Sequence, residues 1–385
     1  MSATEPASVV EQVLRNLVAA RKAAGLKATD LEEDLIVGPD WIAQYESGKS
    51  IPDLATFIVL ADRIGVDPAS LFQKVKPSSS RPSLMRTLSS KQVGDDVVIA
   101  FRYANFTATY TLRNATISQF DEVICVLRDG LAGLTSVNDD EVQTQIKTNS
   151  VVSAFMKAVS FWPKANPSDI WWFIIYRAYC DPFNHPAEFA RLGFEQSWKR
   201  TSGWALEEIF VRHYRNELAK HGIRIEIANG ERKRILTSQF IVDARIEADK
   251  VDIFLVGPGE VLFGAVHVKA SFAERRTDDV PMSQALISAG YYSPLVTMDC
   301  KSTPSSKPVN RGELGGVGDK RSAKRKDIED DGWFSACFSY NRNTVPTPDP
   351  GAVVSPVICC DFANPNDKFV RYAVRAWKNF TSGRK

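Results

Sequence analysis

The sequence predicts a multidomain protein, in which an all-α N-terminal unit precedes an α/β core with a mixed sheet and flanking helices. Three observations predict this class. Apolar residues recur at helical spacing through residues 9–72. Short apolar runs typical of strands begin near residue 222, as in "IRIEIA", "VDIFLVG" and "EVLFGAVHVK". Helical periodicity then returns close to the C-terminus, in "NDKFVRYAVRAWKNF".

Composition limits the class of protein. The chain has 385 residues, which suggests two or three domains, and its 44% hydrophobic and 24% charged residues are ordinary globular values. A net charge of +2 neither favours nor excludes nucleic acid, because a local basic patch does not show in the sum. Six cysteines without a C-x-x-C pair indicate reduced thiols. No membrane-spanning run and no signal peptide are visible, so we expect a cytoplasmic protein without a membrane partner.

Four segments follow from the pattern of residues. We expect a helical domain over 1–73, a Ser/Pro/Lys-rich linker over 74–94, a β-hairpin with helices over 95–195, and the core over 196–385. The hairpin "DVVIAFRYANFTATYTL" alternates in period two and should turn near Ala104 and Asn105. Trp171, Trp172 and Tyr176 are expected in the core. Further strands are predicted in "SQFIVDARI", "SPLVTMDCK" and "VVSPVICCD".

The N-terminal stretch "ATDLEEDLIVGPDWIAQYESGKSIPDLATFIVLADRIGVDPASLF" resembles the lambda-repressor-like (XRE/Cro) helix-turn-helix family. The family's third helix enters the DNA major groove. Here that helix should begin with Pro39 at its first position and expose Pro39, Asp40, Ala43 and Gln44. Gln44 could read adenine through two hydrogen bonds, and Lys49 is the nearest cation. The alternative is a helical dimerisation or docking unit that does not touch DNA.

A predicted hairpin in the core gathers polar residues on one face. Pro258 and Gly259 suit the centre of a type II turn between "VDIFLVG" and "EVLFGAVHVK". A two-residue turn places Asp252 opposite Ala265, and side chains alternate between faces, so His267 and Lys269 share that face. The grouping depends on the register, because a slip of one residue would break it.

An aspartate at the start of one strand and a lysine near the end of the next is the layout of the PD-(D/E)XK nuclease core. Asp252 could hold Mg²⁺, the backbone carbonyl of Val268 could add an oxygen ligand, and Lys269 could orient or help deprotonate the attacking water. The simpler interpretation of Lys269 is a lysine at a strand end that reaches solvent.

Five stretches together resemble the BsaWI-type restriction endonucleases, which belong to the CCGG-recognising type II enzymes with a PD-(D/E)XK fold. They are "NPSDIWWFIIYRAYCDPF", "SWKRTSGWALEEIF", "VHVKASFAERRTDDVPMSQALISAGYYSPLVTMDCKS", "NRGELG" and "DIEDDGWFSACFSYN". The resemblance covers roughly 160–345, under half of the chain. It implies a restriction-endonuclease-like core that hydrolyses double-stranded DNA with Mg²⁺ at a palindromic CCGG-core site, leaving 5′-phosphate and 3′-hydroxyl ends. It also implies a homodimer or homotetramer and a companion DNA methyltransferase.

Carried over residue by residue, the family's metal-binding aspartate falls on Asp252 and its lysine on Lys269. Two positions depart from the pattern. Val251 stands where the motif has proline, and His267 stands where most relatives have glutamate. Histidine is a poor ligand for Mg²⁺, which prefers oxygen. His267 is therefore either a hydrogen-bonded strand residue beside the metal site or a group that acts directly on water or phosphate.

A second carboxylate must then come from elsewhere in the chain. Glu207 matches the glutamate of a G-x-x-x-E helix that precedes the nuclease sheet, and its alternative role is that of an ordinary surface residue. Glu274 follows the lysine and could be catalytic or structural. Asp278 and Asp279 are weaker candidates for the same position.

Two segments are candidates for DNA contact. In "AERRTDDVP" the resemblance implies base reading, because arginine pairs with guanine and aspartate accepts from cytosine. The residues concerned are Arg275, Arg276, Asp278 and Asp279; the alternative is a surface salt-bridge cluster. The segment "NRGELGGVGDKRSAKRK" should be a flexible loop that binds phosphates, or else a solvated charged loop. Its candidate cations are Arg311, Lys320, Arg321, Lys324 and Arg325.

Two other functions remain open at this stage. The chain could be a non-enzymatic helix-turn-helix transcription regulator whose nuclease core is inactive, as His267 would suggest. It could also be a nuclease of another specificity, such as a repair or methyl-directed enzyme.

Overall fold

A computed structural model describes residues 6–35, 37–72, 88–103, 106–185, 194–242, 251–271, 276–300 and 306–383. The chain divides into two compact units, residues 1–85 and 86–385. The second unit holds both the predicted middle region and the predicted nuclease core. These two segments share one hydrophobic core, in which Phe155, Trp171 and Phe210 are fully or almost fully buried.

The N-terminal unit has the predicted five-helix pattern. Its helices are α1 (Pro6–Ala23), α2 (Ala28–Asp34), α3 (Trp41–Glu46), α4 (Leu54–Ile64) and a 3₁₀ turn over Pro68–Phe72. The side chain of Asp53 caps α4 by accepting from the Thr56 amide. One expectation was wrong: α3 begins at Trp41, not at Pro39, because Asp40 before it takes a left-handed conformation with φ of 64°. Pro39, Asp40, Ala43 and Gln44 are exposed, as predicted.

A three-stranded antiparallel sheet opens the second unit. It contains β1 (Leu88–Val93), β2 (Asp96–Tyr103) and β3 (Phe106–Leu112) in that order. Tyr103 pairs with Phe106, which confirms the predicted hairpin, while the turn residues 104 and 105 lie outside the described residues. Strand β1 falls inside the segment expected to be a linker. Its mostly exposed residues "SSKQV" carry no apolar alternation, so the pattern that marks a strand is missing.

Helices of the middle region pack on this sheet and on the core. They are α5 (Ile117–Ala132), α6 (Asp140–Phe161), α7 (Pro167–Asp169), a π-helical stretch (Ile170–Ile175) and α8 (Tyr176–Tyr179). Trp171 is 1% exposed, as expected of a core residue. Trp172 is half-buried and stacks on Tyr176 at 4.9 Å between ring centroids.

The core sheet has six strands and is mixed, as predicted. The strands are β4 (Arg224–Glu226), β5 (Ile253–Gly257), β6 (Val261–Lys269), β7 (Leu295–Thr297), β8 (Cys337–Ser339) and β9 (Val357–Cys359), in that spatial order. Strands β4 to β6 are antiparallel and β6 to β9 are parallel. Strand β8 was not predicted, because its residues Cys337–Ser339 stand between small and polar residues and form no longer apolar run. The strand expected in "SQFIVDARI" is not seen at 238–242, and residues 243–250 lie outside the described part.

Helices flank this sheet. They are α9 (Phe194–Ala219), α10 (Gly230–Ser238), α11 (Arg276–Ser288), α12 (Ala323–Glu329) and α13 (Lys368–Ser382). Helix α9 packs against β4 and β6 and so approaches the strand that carries Lys269. Helix α13 buries Phe369, Val370 and Ala373 along one face, as its amphipathic pattern predicts. Among the described helices, none is long and apolar enough to cross a membrane.

Candidate active site

The hairpin of β5 and β6 brings the predicted polar residues together, but by a different register. Gly257 pairs with Val261, so the turn has three residues, and a bulge between Leu255 and Val256 shifts the pairing by one more. Ile253 therefore pairs with Val266. The same register, extended by one residue, places Asp252 beside His267 and not beside Ala265. Because faces alternate with a period of two, the two shifts cancel and the predicted face survives.

Asp252 and Lys269 form the centre of the site. The Lys269 ammonium donates to Oδ2 of Asp252 at 3.0 Å, and the Val268 amide donates to the same oxygen at 2.8 Å. Both side chains are mostly buried, with 15% and 14% exposed. Burial acts to lower the pKa of Lys269, but the charges of Asp252 and Asp279 outweigh it and hold that pKa above its usual value. Lys269 is thus a positioned ammonium and not a lysine that extends into solvent.

Glu207 faces the same pair from helix α9. Burial, and next the charge of Asp252, raise the pKa of its carboxyl group to about 8, while Lys269 opposes the rise. Helix α9 packs against β6, the strand of Lys269, which brings Glu207 within reach of these charges, as was expected of the helix preceding the sheet. Its neighbour Glu208 points elsewhere and accepts a hydrogen bond from Arg212 at 2.6 Å.

Asp279 was expected among the base-reading residues and also as a candidate for the second carboxylate of the site, and the structure places it in the active site. It lies on α11, is 4% exposed, and its Oδ2 is 3.4 Å from the Lys269 ammonium. Burial acts to raise its pKa, but His267 and Lys269 together hold that pKa below its usual value. The segment is helical from Arg276 onward despite Pro281, and this helix carries Asp279 to Lys269.

His267 is a buried member of a hydrogen-bonded chain. It is 1% exposed, and its Nε2 lies 2.9 Å from Ser293 Oγ, which in turn lies 2.8 Å from Ser283 Oγ. Its Nδ1 faces Asp279 at 3.9 Å, too far for a hydrogen bond. Of the two roles considered for His267, these contacts favour that of a structural residue beside the site.

The donor set suits a hard cation. Asp252, Glu207 and Asp279 provide carboxylate oxygens, and the buried Oδ2 of Asp279 has no hydrogen-bond partner in the described part of the chain. Among the described residues, no three His, Cys, Asp or Glu side chains are arranged so that they could hold a metal ion by themselves. A cation here would therefore rely on carboxylates from different elements, completed by backbone oxygen and water, as magnesium sites commonly are.

Several predicted residues cannot be placed. Glu274 and Arg275 lie outside the described residues, and Arg276 and Asp278 lie on α11 with side chains outside the described set. Their expected roles in catalysis and base reading stay predictions.

The basic segment after residue 306 is folded, not a flexible loop. Ser322 caps α12 by accepting from the Arg325 amide, and a bridge joins Gly315 to Arg321. Arg325 is fully buried, where it donates to Glu329 at 2.9 Å and to the Val345 carbonyl at 2.7 Å. Its predicted contact with DNA is therefore wrong.

The other four cations of this segment differ in exposure. Arg321 pairs with Glu329 and Asp330, and Lys324 donates to Glu313 at 2.7 Å, so both are already engaged. Arg311 and Lys320 are exposed.

Two carboxylates close to the site were not predicted from the sequence. Glu313 accepts from Ser271 at 2.7 Å, two residues beyond Lys269. Asp299, which follows β7 at the same sheet edge, accepts from the Glu313 amide at 2.5 Å and from Thr344 at 2.6 Å. The sequence did offer a signal for Asp299, because it follows a buried strand closely. The carboxyl ends of parallel strands lie at one edge of a sheet, so such an aspartate is expected near Lys269.

Comparisons with known proteins agree with this architecture. A family model described as a helix-turn-helix domain matches residues 13–71. The type II restriction enzyme AgeI of Thalassovita gelatinovora is 37% identical over 240 residues, which cover 59% of this chain and 83% of that enzyme. The crystal structure of a specific AgeI–DNA complex matches with a TM-score of 0.61 at 30% identity, over 72% of this chain and 99% of that chain. A pre-specific BsaWI–DNA complex matches at 18% identity with a TM-score of only 0.34, over 69% and 95%.

The α/β core of mixed sheet, with its acidic and lysine residues at one sheet edge, is shared with a type II restriction endonuclease, and in this chain a helix-turn-helix unit precedes it. The chain belongs to the family of the type II restriction enzyme AgeI. The predicted fold class is thereby confirmed, and the predicted resemblance is confirmed at the level of type II restriction endonucleases. The relative that shows the family is AgeI and not BsaWI.

Proposed function

We propose that this enzyme hydrolyses duplex DNA with Mg²⁺ at a palindromic site with a CCGG core, leaving 5′-phosphate and 3′-hydroxyl ends. The observation that carries the proposal is the 3.0 Å contact between Lys269 and Asp252, with Glu207 and Asp279 beside it. A lysine and several carboxylates at the edge of a sheet suit phosphodiester hydrolysis. The AgeI complex with DNA supports duplex DNA as the substrate.

Each residue has a distinct proposed role. Asp252 and Glu207, with the carbonyl of Val268, would hold Mg²⁺, and bound Mg²⁺ supplies Lewis-acid stabilisation and a more acidic water. Lys269 donates hydrogen bonds to a phosphate oxygen or orients the attacking water, because its raised pKa keeps it an ammonium. Water attacks phosphorus, the bond to the 3′ oxygen breaks, and that oxygen takes up a proton. Asp279 fixes Lys269 from the other side.

Recognition of the bases is assigned to the segment at the start of α11. Arg275 and Arg276 would pair with guanine, and Asp278 would accept from cytosine. Arg311 and Lys320 are exposed and would bind phosphates. A palindromic site calls for two copies of the chain, as a homodimer or homotetramer, and a methyltransferase of the same specificity is the implied partner.

The helix-turn-helix unit would contribute a second DNA contact. Gln44 and Lys49 are exposed on or next to α3. The AgeI structure matches 99% of its own length but 72% of this chain, so part of this chain has no counterpart there. This unit would either regulate the enzyme's own operon or extend the contact with the substrate.

The test is to digest a plasmid of known sequence and to determine every end by adaptor ligation and sequencing. Ligation without prior phosphorylation demonstrates 5′-phosphate ends. A CCGG core shared by all cut sites supports the proposed specificity. Cuts at unrelated sequences would instead indicate a nuclease of another specificity. DNA binding without cuts would leave a regulator with an inactive core.

A further inference from the structure

A groove distant in the sheet from Lys269 lies between α13 and residues 346–350, against the edge strand β9. Its volume is about 400 Å³. Lys368, Arg371 and Arg375 line one wall, and Pro346 and Ile358 belong to the opposite side. The three cations follow one face of α13, since residues three and four apart are neighbours on a helix. None of the residues that line the groove is acidic.

The positive charge of this wall is not neutralised. In the described part of the chain no ion pair involves Lys368, Arg371 or Arg375. The carboxylates closest in sequence are engaged elsewhere: Asp367 accepts from the Tyr214 hydroxyl, and Asp361 pairs with Arg342. All three cations are exposed to solvent. An anion is therefore the ligand that this groove would attract.

Thr347 and Tyr372 are the uncharged polar residues that line the groove, and the Thr347 hydroxyl is already satisfied. Thr347 Oγ1 donates to Glu329 at 2.6 Å and accepts from the Val357 amide at 2.8 Å. The Arg375 guanidinium lies over the Tyr372 ring at 4.3 Å, which restrains its orientation. Recognition thus falls to one lysine and two arginines on a rigid helix, a set that suits phosphate oxygens.

We propose that this groove binds backbone phosphates of the DNA outside the bases that the enzyme reads; the inference rests on the proposed function. Strands β6 and β9 are three neighbours apart in the sheet, which is about 14 Å at the usual strand spacing. A duplex cut at Lys269 and running towards β9 brings phosphates about four base pairs from the cut to the groove. The groove extends the footprint and adds no sequence preference.

The experiment compares full-length wild type with Arg371→Gln on two duplexes of the same site, with flanks of about one or about ten base pairs, so that only the longer duplex carries the phosphates that reach the groove. The matched control is Lys378→Gln, which removes an exposed charge from the same helix outside the groove. We expect Arg371→Gln to weaken binding of the long duplex about three- to tenfold and to reduce the salt slope by about one. Binding of the short duplex and the behaviour of Lys378→Gln should match wild type.

Equal binding of the long duplex by wild type and Arg371→Gln would overturn the groove proposal alone, provided that the wild type binds and cleaves. A wild type that neither binds nor cleaves DNA would instead sink the proposed function. A measurement of thermal stability with inorganic phosphate or ATP tests whether the groove binds a free phosphate compound rather than the phosphates of DNA. If either compound stabilises wild type but not Arg371→Gln, while DNA binding is the same for both, the assignment to DNA is wrong.

Discussion

The Lys269 ammonium and the Asp252 carboxylate meet at 3.0 Å across two adjacent strand ends, on an oxygen that also accepts the Val268 amide. The backbone contact fixes the carboxylate, and the carboxylate fixes the ammonium. Asp279 approaches the same ammonium at 3.4 Å from helix α11, and Glu207 approaches from α9. Four ionisable groups from four elements thus converge, although no two of them are close in the sequence.

Glu207 and its neighbour offer a matched test of the carboxylate assignment. Glu207→Gln removes a carboxyl group that would ionise on binding Mg²⁺ beside Asp252, whereas Glu208→Gln removes a partner of Arg212. We expect the first change to lower the cleavage rate about 100-fold or more and the second to leave it within a few-fold, because charge stabilisation at a reacting centre is worth several kcal/mol. Single-turnover cleavage at saturating enzyme measures both. Comparable rates for the two variants would remove Glu207 from the site.

Variants of Arg325 and Lys320 test which cation of the basic segment is structural and which binds DNA. Arg325→Ala removes the buried guanidinium that pairs with Glu329, which keeps only its contacts with Arg321 and Thr347, and should cost about 3 kcal/mol of unfolding free energy. Lys320→Ala should leave stability unchanged, since the side chain is exposed, and should weaken DNA binding in a salt-dependent way. Urea denaturation and binding titrations at several salt concentrations check the pair. A stable Arg325→Ala protein with weakened DNA binding would contradict this assignment.

Gly312 is predicted to be irreplaceable for a local reason. Its φ is 89°, and a Cβ there would overlap the carboxylate of Asp299. Gly318 also has positive φ, at 60°, but faces open space. Gly318→Ala should cost about 1 kcal/mol from the backbone alone, and Gly312→Ala clearly more. Only Gly312→Ala should also slow cleavage, because it displaces Glu313 from Ser271 beside Lys269. Equal losses of stability in the two variants would exclude the steric argument.

Asp299 predicts how stability depends on pH. Burial raises the pKa of its carboxyl group from 3.8 to about 7, although hydrogen bonds from Thr344 and Glu313 oppose the rise. Between those values the folded protein keeps a proton that the unfolded chain has released. The stability that this group contributes is therefore complete below about pH 4 and is lost as the pH rises through about 7.

Asp299→Asn should flatten part of that decline. Buried Asp169, whose pKa burial raises to about 6, accounts for another part that the variant retains. The measurement is the free energy of unfolding by urea at several pH values between about 4 and 8, with exposed Asp319→Asn as the control. Parallel curves for wild type and Asp299→Asn would contradict the assignment.

Local patterns were enough to predict much of this fold. The helical spacing, the period-two hairpin and most of the apolar strand runs became the elements they indicate, whereas no strand forms at 238–242. The face shared by Asp252, His267 and Lys269 was predicted for partly mistaken reasons, because a longer turn and a bulge each moved the register by one residue. Strand β8 was missed because small and polar residues interrupt the apolar pattern around it, and strand β1 was missed because its run of serine, lysine and glutamine carries no apolar alternation.

Burial of charged residues was harder to predict. Arg325 stands in "KRSAKRK" among four other cations, and its burial depends on Glu329 and the distant Val345 carbonyl. Asp279 lies on helix α11 directly after another aspartate, and the side chains it faces, Lys269 and His267, belong to strand β6. Such partners are set by tertiary packing, and no spacing within either segment indicates them.

The most direct measurement is cleavage of a plasmid with known CCGG sites by wild type and Lys269→Ala, each with Mg²⁺ and with EDTA. We expect discrete fragments from the wild type with Mg²⁺ only, and none from Lys269→Ala, which should retain DNA binding. Cleavage that persists in Lys269→Ala or in EDTA would contradict a metal-dependent site at Asp252 and Lys269. If both proteins bind DNA and neither cleaves it, the protein is not a nuclease and DNA binding remains as its function.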